Sequence, residues 1–294
     1  MRIHQMTFAQ WEAAFPDEDA CKAYLATNRW KEGVYCPRCG ATGAYELKAR
    51  PFHWQCKECS THGYRFSVLV GTIFENTNKP LRDWFRVIHL MLTSKKGISS
   101  HQIYRTLGFG SYQTALYMTH RIRAALVDKN FKKLIGIVEV DETYVGGDDR
   151  NRHFGKKVGS KWIHHSFAVV GACERKGSVV ARCLDRITGE ALQSFVRETV
   201  STDVSLLATD EYVGYKRLQG EYKHSSVHHA SHRYVVGAVH TNTIEGFWSI
   251  LKRGIMGTFH KVSRKYLPLY VAEFQFRYNN RLNADIFAEA IRGC

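Results

Sequence analysis

The spacing of apolar residues divides this chain into four stretches. Residues 1–33 read as an amphipathic helical lead-in, where Pro16 and Asp17 open a helix that turns Cys21, Tyr24 and Leu25 to one side. Residues 34–75 hold short strand-like runs around Tyr45, Phe52 and Trp54 and again over residues 64–70. Residues 76–130 return to helical spacing. Pro80 suits a first helical turn, where its missing N–H would have had no partner, and Leu81, Phe85, Ile88 and Leu92 mark the buried stripe that follows. Ser99 or Ser100 caps a short helix through Leu107. After Gly108-Phe109-Gly110 a longer helix runs from Tyr112 to about Leu126, with Ala115, Met118, Ile122 and Ala125 inward. Two helices joined by a short glycine turn have the pattern of a helix-turn-helix.

In residues 131–294 the period changes. Apolar or alternating runs predict strands over residues 134–140, 165–171 and 178–183, then a helix near 190–200 and a strand at 204–208. Further on, Ile244, Phe247, Trp248 and Leu251 recur at i, i+3, i+4 and i+7, one buried face of a helix. A final helix from about Lys265 to Asn279 carries Leu267, Tyr270, Val271, Phe274 and Tyr278 on one side. Three strands, a helix and a strand is the order of a ribonuclease H-like core. The expected fold class is therefore α/β (α+β): a ribonuclease H-like mixed sheet flanked by helices, preceded by a small ribbon (residues 34–75) and a helical, helix-turn-helix-like block (76–130).

Composition narrows the partners. The 294 residues carry a formal net charge of +15, which favours a polyanion, most simply nucleic acid. No segment approaches the 18 or more consecutive apolar residues of a membrane span. The opening residues lack a charged region followed by an apolar one, so no secretory signal is expected and the cytoplasm is the expected compartment.

Three acidic residues stand in informative places. Asp141 closes the apolar run 134–140, Asp210 closes the run 204–208, and Glu245 follows Asp210 after 34 intervening residues. Ligands gather at the carboxyl ends of strands in α/β sheets. Three carboxylates brought together can hold two divalent metals roughly 3.5–4 Å apart, the arrangement for in-line displacement at phosphorus. Mg²⁺ suits the role as a hard cation that prefers oxygen and keeps several waters; Mn²⁺ is its natural substitute. Lys252 lies two helical turns beyond Glu245 and shares its side of the helix, about 10.5 Å along. A carboxylate for metal and a cation for phosphate on one face, with Arg253 beside it, make a plausible DNA-cleavage surface. Other roles stay open at this point. Asn242 followed by Glu245 fits a helix cap, the two aspartates fit strand-end turns, and Glu142 and Glu211 are neighbours able to compete for metal.

Cys36-Pro-Arg-Cys39 and Cys56-Lys-Glu-Cys59 are two CxxC knuckles sixteen residues apart, four thiolates for one tetrahedral structural Zn²⁺. Cys21, Cys173, Cys183 and Cys294 have no ligand spacing.

Beyond Lys252 and Arg253, candidate nucleic-acid contacts fall in two places. Gln113, Thr114, Tyr117, Arg121 and Arg123 lie mainly on the outward side of the second helix of the helix-turn-helix pattern. Arg150, Arg152, Lys156, Lys157 and Lys161 lie in a glycine-containing stretch without apolar period, a basic loop fit to clamp a phosphate backbone. His228, His229 and His232 form a further polar cluster, more in keeping with core or surface histidines than with ligands.

Taken together, CPRCG…CKEC, GTIFENTNKPLRDWF, VDETYVGG, TDEYVGY, HTNTIEGFWSILKRGIMGTFH and FQFRYNNR make the chain resemble bacterial insertion-sequence transposases that join an N-terminal zinc ribbon to a DDE integrase-type core. The resemblance spans essentially the whole chain. It implies that Asp141, Asp210 and Glu245 bind two Mg²⁺ ions, that Lys252 contacts DNA, and that the ribbon helps recognise element ends. Some members of this broad group carry Asn at the third acidic position, which makes Asn242 and Glu245 rivals; Glu245 is preferred for the face it shares with Lys252. The implied partner is double-stranded DNA, both element ends and target, bound at the nucleoid by a homodimer or larger assembly once two ends are synapsed. Two other classes share these features: a zinc-ribbon DNA-binding regulator with an inactive core, and a ribonuclease H-like nuclease without strand transfer.

Overall fold

The computed structural model describes residues 5–59, 62–128, 131–146, 167–210, 212–226 and 240–294. In chain order the first elements are helices α1 (Phe8–Ala14) and α2 (Glu18–Arg29), strands β1 (Tyr45–Glu46), β2 (His53–Cys56) and β3 (Tyr64–Ser67), then helices α3 (Leu81–Thr93), α4 (Ser100–Leu107) and α5 (Tyr112–Ala125). Next come β4 (Ile137–Val145), β5 (Phe167–Glu174), β6 (Val179–Leu184), α6 (Gly189–Thr199), β7 (Leu206–Thr209) and β8 (His224–Ser226). Helices α7 (Asn242–Gly254), α8 (Leu267–Asn279) and α9 (Ile286–Gly293) close the chain. Two compact units result, residues 1–127 with 282–294, and residues 128–281.

In the first unit, Asp17 caps α2 by accepting from the Ala20 amide at 2.8 Å. The N-cap of α3 is Pro80, whose ring carries no hydrogen-bond acceptor, so Glu18 of α2 takes the part. Its carboxylate accepts from the amides of Leu81 and Arg82 at 2.7 and 3.0 Å. Ribbon strands β1–β2–β3 form an antiparallel sheet whose Trp54 and Phe66 stack beside Trp30 of the lead-in. The helix α9 has no counterpart in the sequence reading, which ended at Asn279. It belongs to this unit because Phe287 packs between Phe15, Tyr24 and Phe85, with ring centroids 5.5–6.0 Å apart.

Helices α4 and α5 form the expected hairpin, locked by a buried Ser100–Thr119 hydroxyl pair at 2.8 Å. Arg123 corrects the sequence reading. It is fully buried rather than outward, because α5 is packed over an arc wider than its apolar stripe and takes in Thr119 and Arg123 as well. Gln113 is exposed and Thr114 half-buried, while Arg121 lies over the rings of Trp84 and Tyr117.

The second unit is built on a five-stranded sheet in the order β6-β5-β4-β7-β8. The first three strands are antiparallel, and β7 and β8 run parallel to β4, the ribonuclease H-like arrangement. Central strands are buried on both faces. Val138, Val140, Val170 and Ala172 pack under Leu192, Phe195 and Val196 of α6, and Val169 and Cys173 face Ile244, Phe247 and Leu251 of α7 and Phe274 of α8. Asp141 does not end its strand as expected: β4 continues to Val145 and pairs with β5 throughout, Asp141 opposite Gly171. Its parallel partner stops sooner. The last β4–β7 pair is Val140 with Thr209, so Asp141 and Asp210 stand one register step beyond it, side by side where the parallel ladder ends. The basic residues Arg150, Arg152, Lys156, Lys157 and Lys161, the histidines His228, His229 and His232, and Glu211 lie outside the described residues.

Candidate active site

Asp141, Glu142, Thr143 and Asp210 from the sheet, and Glu245, Trp248, Ser249 and Lys252 from α7, line one open cleft of about 540 Å³. Helical period explains the α7 set. Ile244, Phe247 and Leu251 are buried against the sheet, which leaves Glu245, Ser249 and Lys252 on the flank facing the cleft. Asn242 is not among the lining residues, nor does it cap the helix; the N-cap is Thr241, whose hydroxyl donates to Glu245 at 2.9 Å.

Carboxylate oxygens of Asp141, Glu142 and Asp210 lie within 4.8 Å of one another. Neighbouring residues on a strand point to opposite faces, so Asp141 leans toward α7 and Glu142 away from it. Each has a neutral donor. The Trp248 indole N–H donates to Asp141 at 3.0 Å, the Tyr215 hydroxyl to Glu142 at 2.7 Å, and the Tyr212 amide to Asp210 at 3.0 Å. Burial pushes the Asp141 carboxyl up to about 6 and that of Glu142 up to about 7, with the charge of Asp210 adding to both. Three half-buried carboxylates that repel one another and, among the described residues, receive only neutral hydrogen bonds are a donor set matched to a hard divalent cation. The residues present fit such a metal.

Sequence reasoning named Trp248 only as a core residue and left Gly171 and Tyr215 unassigned. Gly171 is needed where it stands. A Cβ there would lie 2.7 Å from the Trp248 ring, so glycine opposite Asp141 lets the indole reach the carboxylate.

The cysteine knuckles also converge. Sγ of Cys36 lies 3.5 Å from that of Cys59, and Sγ of Cys39 lies 3.7 Å from that of Cys56. Four sulfurs at about 2.3 Å from a tetrahedral Zn²⁺ would be about 3.8 Å apart, so the thiols fit this ion. The Gly40 amide bonds the Cys36 carbonyl at 2.8 Å, and the left-handed turn at Gly40, φ +78°, returns the Ala41 carbonyl to the Cys36 amide at 2.8 Å. Burial works to raise the Cys36 thiol, but hydrogen bonds from the Cys39 and Arg38 amides prevail and hold it at about 7, poised for thiolate ligation. No helix among the described residues is long and apolar enough to cross a membrane.

Comparison with known proteins places both parts of the chain in transposase families. Residues 133–279 match the family described as ISXO2-like transposase domain, and residues 16–62 match the transposase zinc-ribbon domain. An uncharacterised protein in transposable element ISH50 of Halobacterium salinarum is 28% identical over 281 residues, covering 90% of this chain and 91% of its own length. Among solved structures, the chain is similar to one in the cryo-EM structure of the simian T-cell lymphotropic virus intasome in complex with PP2A regulatory subunit B56 gamma. That likeness has a TM-score of 0.31 and 15% identity over 60% of this chain and 67% of the other, too weak to bear on the fold.

Proposed function

The chain belongs to the ISXO2-like transposase family, and on that footing we propose how its cleft cuts DNA at the ends of an insertion sequence and joins those ends to a target. It is a DDE transposase, an enzyme of metal-dependent phosphoryl transfer on DNA. The observation that supports the finer reading best is the meeting of Asp141 and Asp210 at the end of the β4–β7 ladder, under the α7 flank that carries Glu245 and Lys252.

Asp141, Asp210 and Glu245 would hold two Mg²⁺ ions, or Mn²⁺ in their place, which supply Lewis-acid stabilisation to the attacking and leaving oxygens of an in-line displacement. Trp248 and the Tyr212 amide fix the two aspartates. Lys252, exposed two turns beyond Glu245, meets the phosphate backbone, with Arg253 next to it. In the first step water attacks phosphorus at the element end and the 3′ oxygen leaves, taking a proton. In the second, that 3′-OH attacks a target phosphodiester and displaces the target's 3′ oxygen. No enzyme side chain becomes covalently attached in either step.

The ribbon, with one Zn²⁺ on Cys36, Cys39, Cys56 and Cys59, and the α4–α5 hairpin, through Gln113, Thr114 and Arg121, serve to recognise the element ends. The basic residues Arg150, Arg152, Lys156, Lys157 and Lys161 clamp the backbone. Synapsis of two ends calls for at least a homodimer, working at the nucleoid.

One observation favours a variant of this reading. Glu142, not Glu245, is the carboxylate closest to both aspartates, which makes it a rival third ligand. Glu245→Gln and Glu142→Gln separate the two: the true ligand loses cleavage as fully as the aspartates do.

The test uses purified protein and DNA from the gene's own flanks. Mg²⁺-dependent cleavage at a defined end followed by joining, abolished in Asp210→Asn with end binding kept, is the expected result. Cutting by the Asp210 variant would overturn the site. Binding without cleavage would indicate the regulator, cleavage without joining the plain nuclease.

A further inference from the structure

Glu139 is a glutamate inside an apolar strand, fully buried between Val138 and Val140. It lies two residues before Asp141 and therefore on the same face of β4, the one turned toward α7. The reaction described above gives it no part. A buried carboxylate without partners would cost several kcal/mol, so what surrounds it is informative.

Among the described residues, four hydrogen bonds reach its carboxylate. Oε2 accepts from the amides of Thr243 at 2.8 Å and Ile244 at 3.1 Å. Oε1 accepts from the Thr243 hydroxyl at 2.9 Å and from Arg175 Nε at 2.6 Å, and His240 Nδ1 lies 3.2 Å away. Thr243 and Ile244 open α7, and the helix's own N-cap, Thr241, makes no capping bond to them. Glu139 thus caps the N-terminus of α7 from the neighbouring strand, placing a negative charge where orphan amides and the helix dipole favour one. Arg175 closes the arrangement. With Nε on Glu139 and Nη2 on the His240 carbonyl at 3.0 Å, it also ties the segment leading into the helix.

We propose that Glu139 is a positioning residue of the active site: by holding the first turn of α7 against β4, it sets where Glu245 and Lys252 stand relative to Asp141 and Asp210. The helix has two ties to this strand, Glu139 at its first turn and Trp248 to Asp141 one turn later. Two ties on one strand fix both the helix's position along its axis and its rotation. Releasing the first lets α7 pivot about the second, which moves Glu245, the residue next to Ile244. This inference rests on the proposed function for its consequence in catalysis but not for the geometry it invokes.

The substitution that isolates the effect is Glu139→Gln. It keeps shape and volume, yet a carboxamide accepts at one end only and turns its NH₂ toward donors. Thr243→Val, which removes a single contact on the helix side, serves as the milder second variant. Three properties are read on the full-length protein: binding of Mn²⁺ alone, followed by electron paramagnetic resonance; binding of element-end DNA; and the cleavage rate at saturating DNA. Disturbing the groups that orient metal ligands typically weakens metal affinity or activity about 10–100-fold. Glu139→Gln is expected to lose both Mn²⁺ affinity and cleavage rate in that range with end binding retained, and Thr243→Val to shift both in the same direction by less.

A Glu139→Gln protein that binds Mn²⁺ and cleaves like wild type overturns the proposal. So does a Glu139→Gln protein that fails to fold alongside a Thr243→Val protein with unchanged Mn²⁺ affinity and rate, since Glu139 is then structural only. If Glu139→Gln fails to fold and Thr243→Val weakens Mn²⁺ binding with end binding intact, the proposal stands. Wild-type protein that cleaves no end counts against the proposed function alone, because the Mn²⁺ comparison still decides the role of Glu139.

Discussion

The indole N–H of Trp248 donates to Oδ2 of Asp141 at 3.0 Å, joining the middle of α7 to the strand beneath it. Trp248 is almost wholly buried, and its ring lies over Gly171, the residue paired with Asp141. The bond orients the carboxylate of a residue that lines the cleft. Trp248→Phe keeps an aromatic ring over Gly171 and removes the donor. Stability is expected to fall by about 1 kcal/mol, the net worth of a typical hydrogen bond. Cleavage rate is expected to fall about 10-fold or more, as for other groups that orient metal ligands. A thermal melt alongside a cleavage time course checks both, and a variant with wild-type rate would show that the bond serves packing only.

On the proposed reading, protons and metal compete for the same carboxylates. Burial raises Asp141 from 3.8 to about 6 and Glu142 from 4.5 to about 7, so in metal-free protein both folded values lie above the unfolded ones. Their stabilising contribution is therefore complete at pH values below the unfolded range and is lost as pH rises through about 6 to 7. Metal-free protein should melt at progressively lower temperature over that window, with a flatter profile in Glu142→Gln. Mn²⁺ affinity should run the other way, rising with pH as the carboxyls give up their protons. Calorimetry at several pH values, with and without Mn²⁺, reads both trends; a pH-independent Mn²⁺ affinity would contradict the coupling.

How far the sequence led follows from what each residue's role depends on. The strands before Asp141 and Asp210 are legible because a central strand buried on both faces leaves a largely apolar run. Glu245 and Lys252 are legible together because seven residues are two helical turns. Glu139 is not. In one dimension it only interrupts Val138 and Val140, and its role depends on Arg175 and on the first amides of α7, which the fold alone brings near. The helix α9 escapes notice for a like reason, since Phe287 has its partners at Phe15, Tyr24 and Phe85, at the other end of the chain. In α5, the apolar stripe locates the centre of the buried face but not its edge, which reaches Arg123.

The burial of Arg123 separates two kinds of basic residue. A cation that contacts phosphate releases counterions on binding, and each such contact adds about 0.9 to the slope of log affinity against log salt. Arg123, fully buried, makes no such contribution. Arg123→Ala is expected to lower folding stability by about 1–3 kcal/mol, because the packing of a buried side chain is lost, and to leave the salt slope unchanged. Replacing Lys156 and Lys157 together by Gln should do the reverse, with stability kept and the slope reduced by about two phosphate contacts. Binding titrations over a range of salt concentrations, paired with denaturant melts, check both. A shallower slope in a folded Arg123 variant would mean that α5 opens when it meets DNA.

The ribbon's dependence on its metal follows from how little it buries. Between Cys36 and Val68 the buried apolar residues are few: the two cysteines Cys36 and Cys56, Trp54, Phe66 and Val68, with Trp30 stacked on Trp54 at a centroid distance of 4.7 Å. Strands of two to four residues add little of their own. Structural zinc in small domains contributes about 10–16 kcal/mol to folding at neutral pH, far more than such a core can. The protein should therefore carry about one zinc per chain. Cys56→Ser, or chelation, should unfold β1–β3 and abolish binding to element ends. Mn²⁺ binding at the carboxylates of residues 128–281 should survive, because those residues form a separate compact unit. Hydrogen exchange distinguishes the outcomes. Loss of protection over residues 45–67 with the β4–β7 amides still protected is the expected pattern, whereas a protected ribbon in zinc-free protein would show that Trp30, Trp54 and Phe66 suffice to hold it.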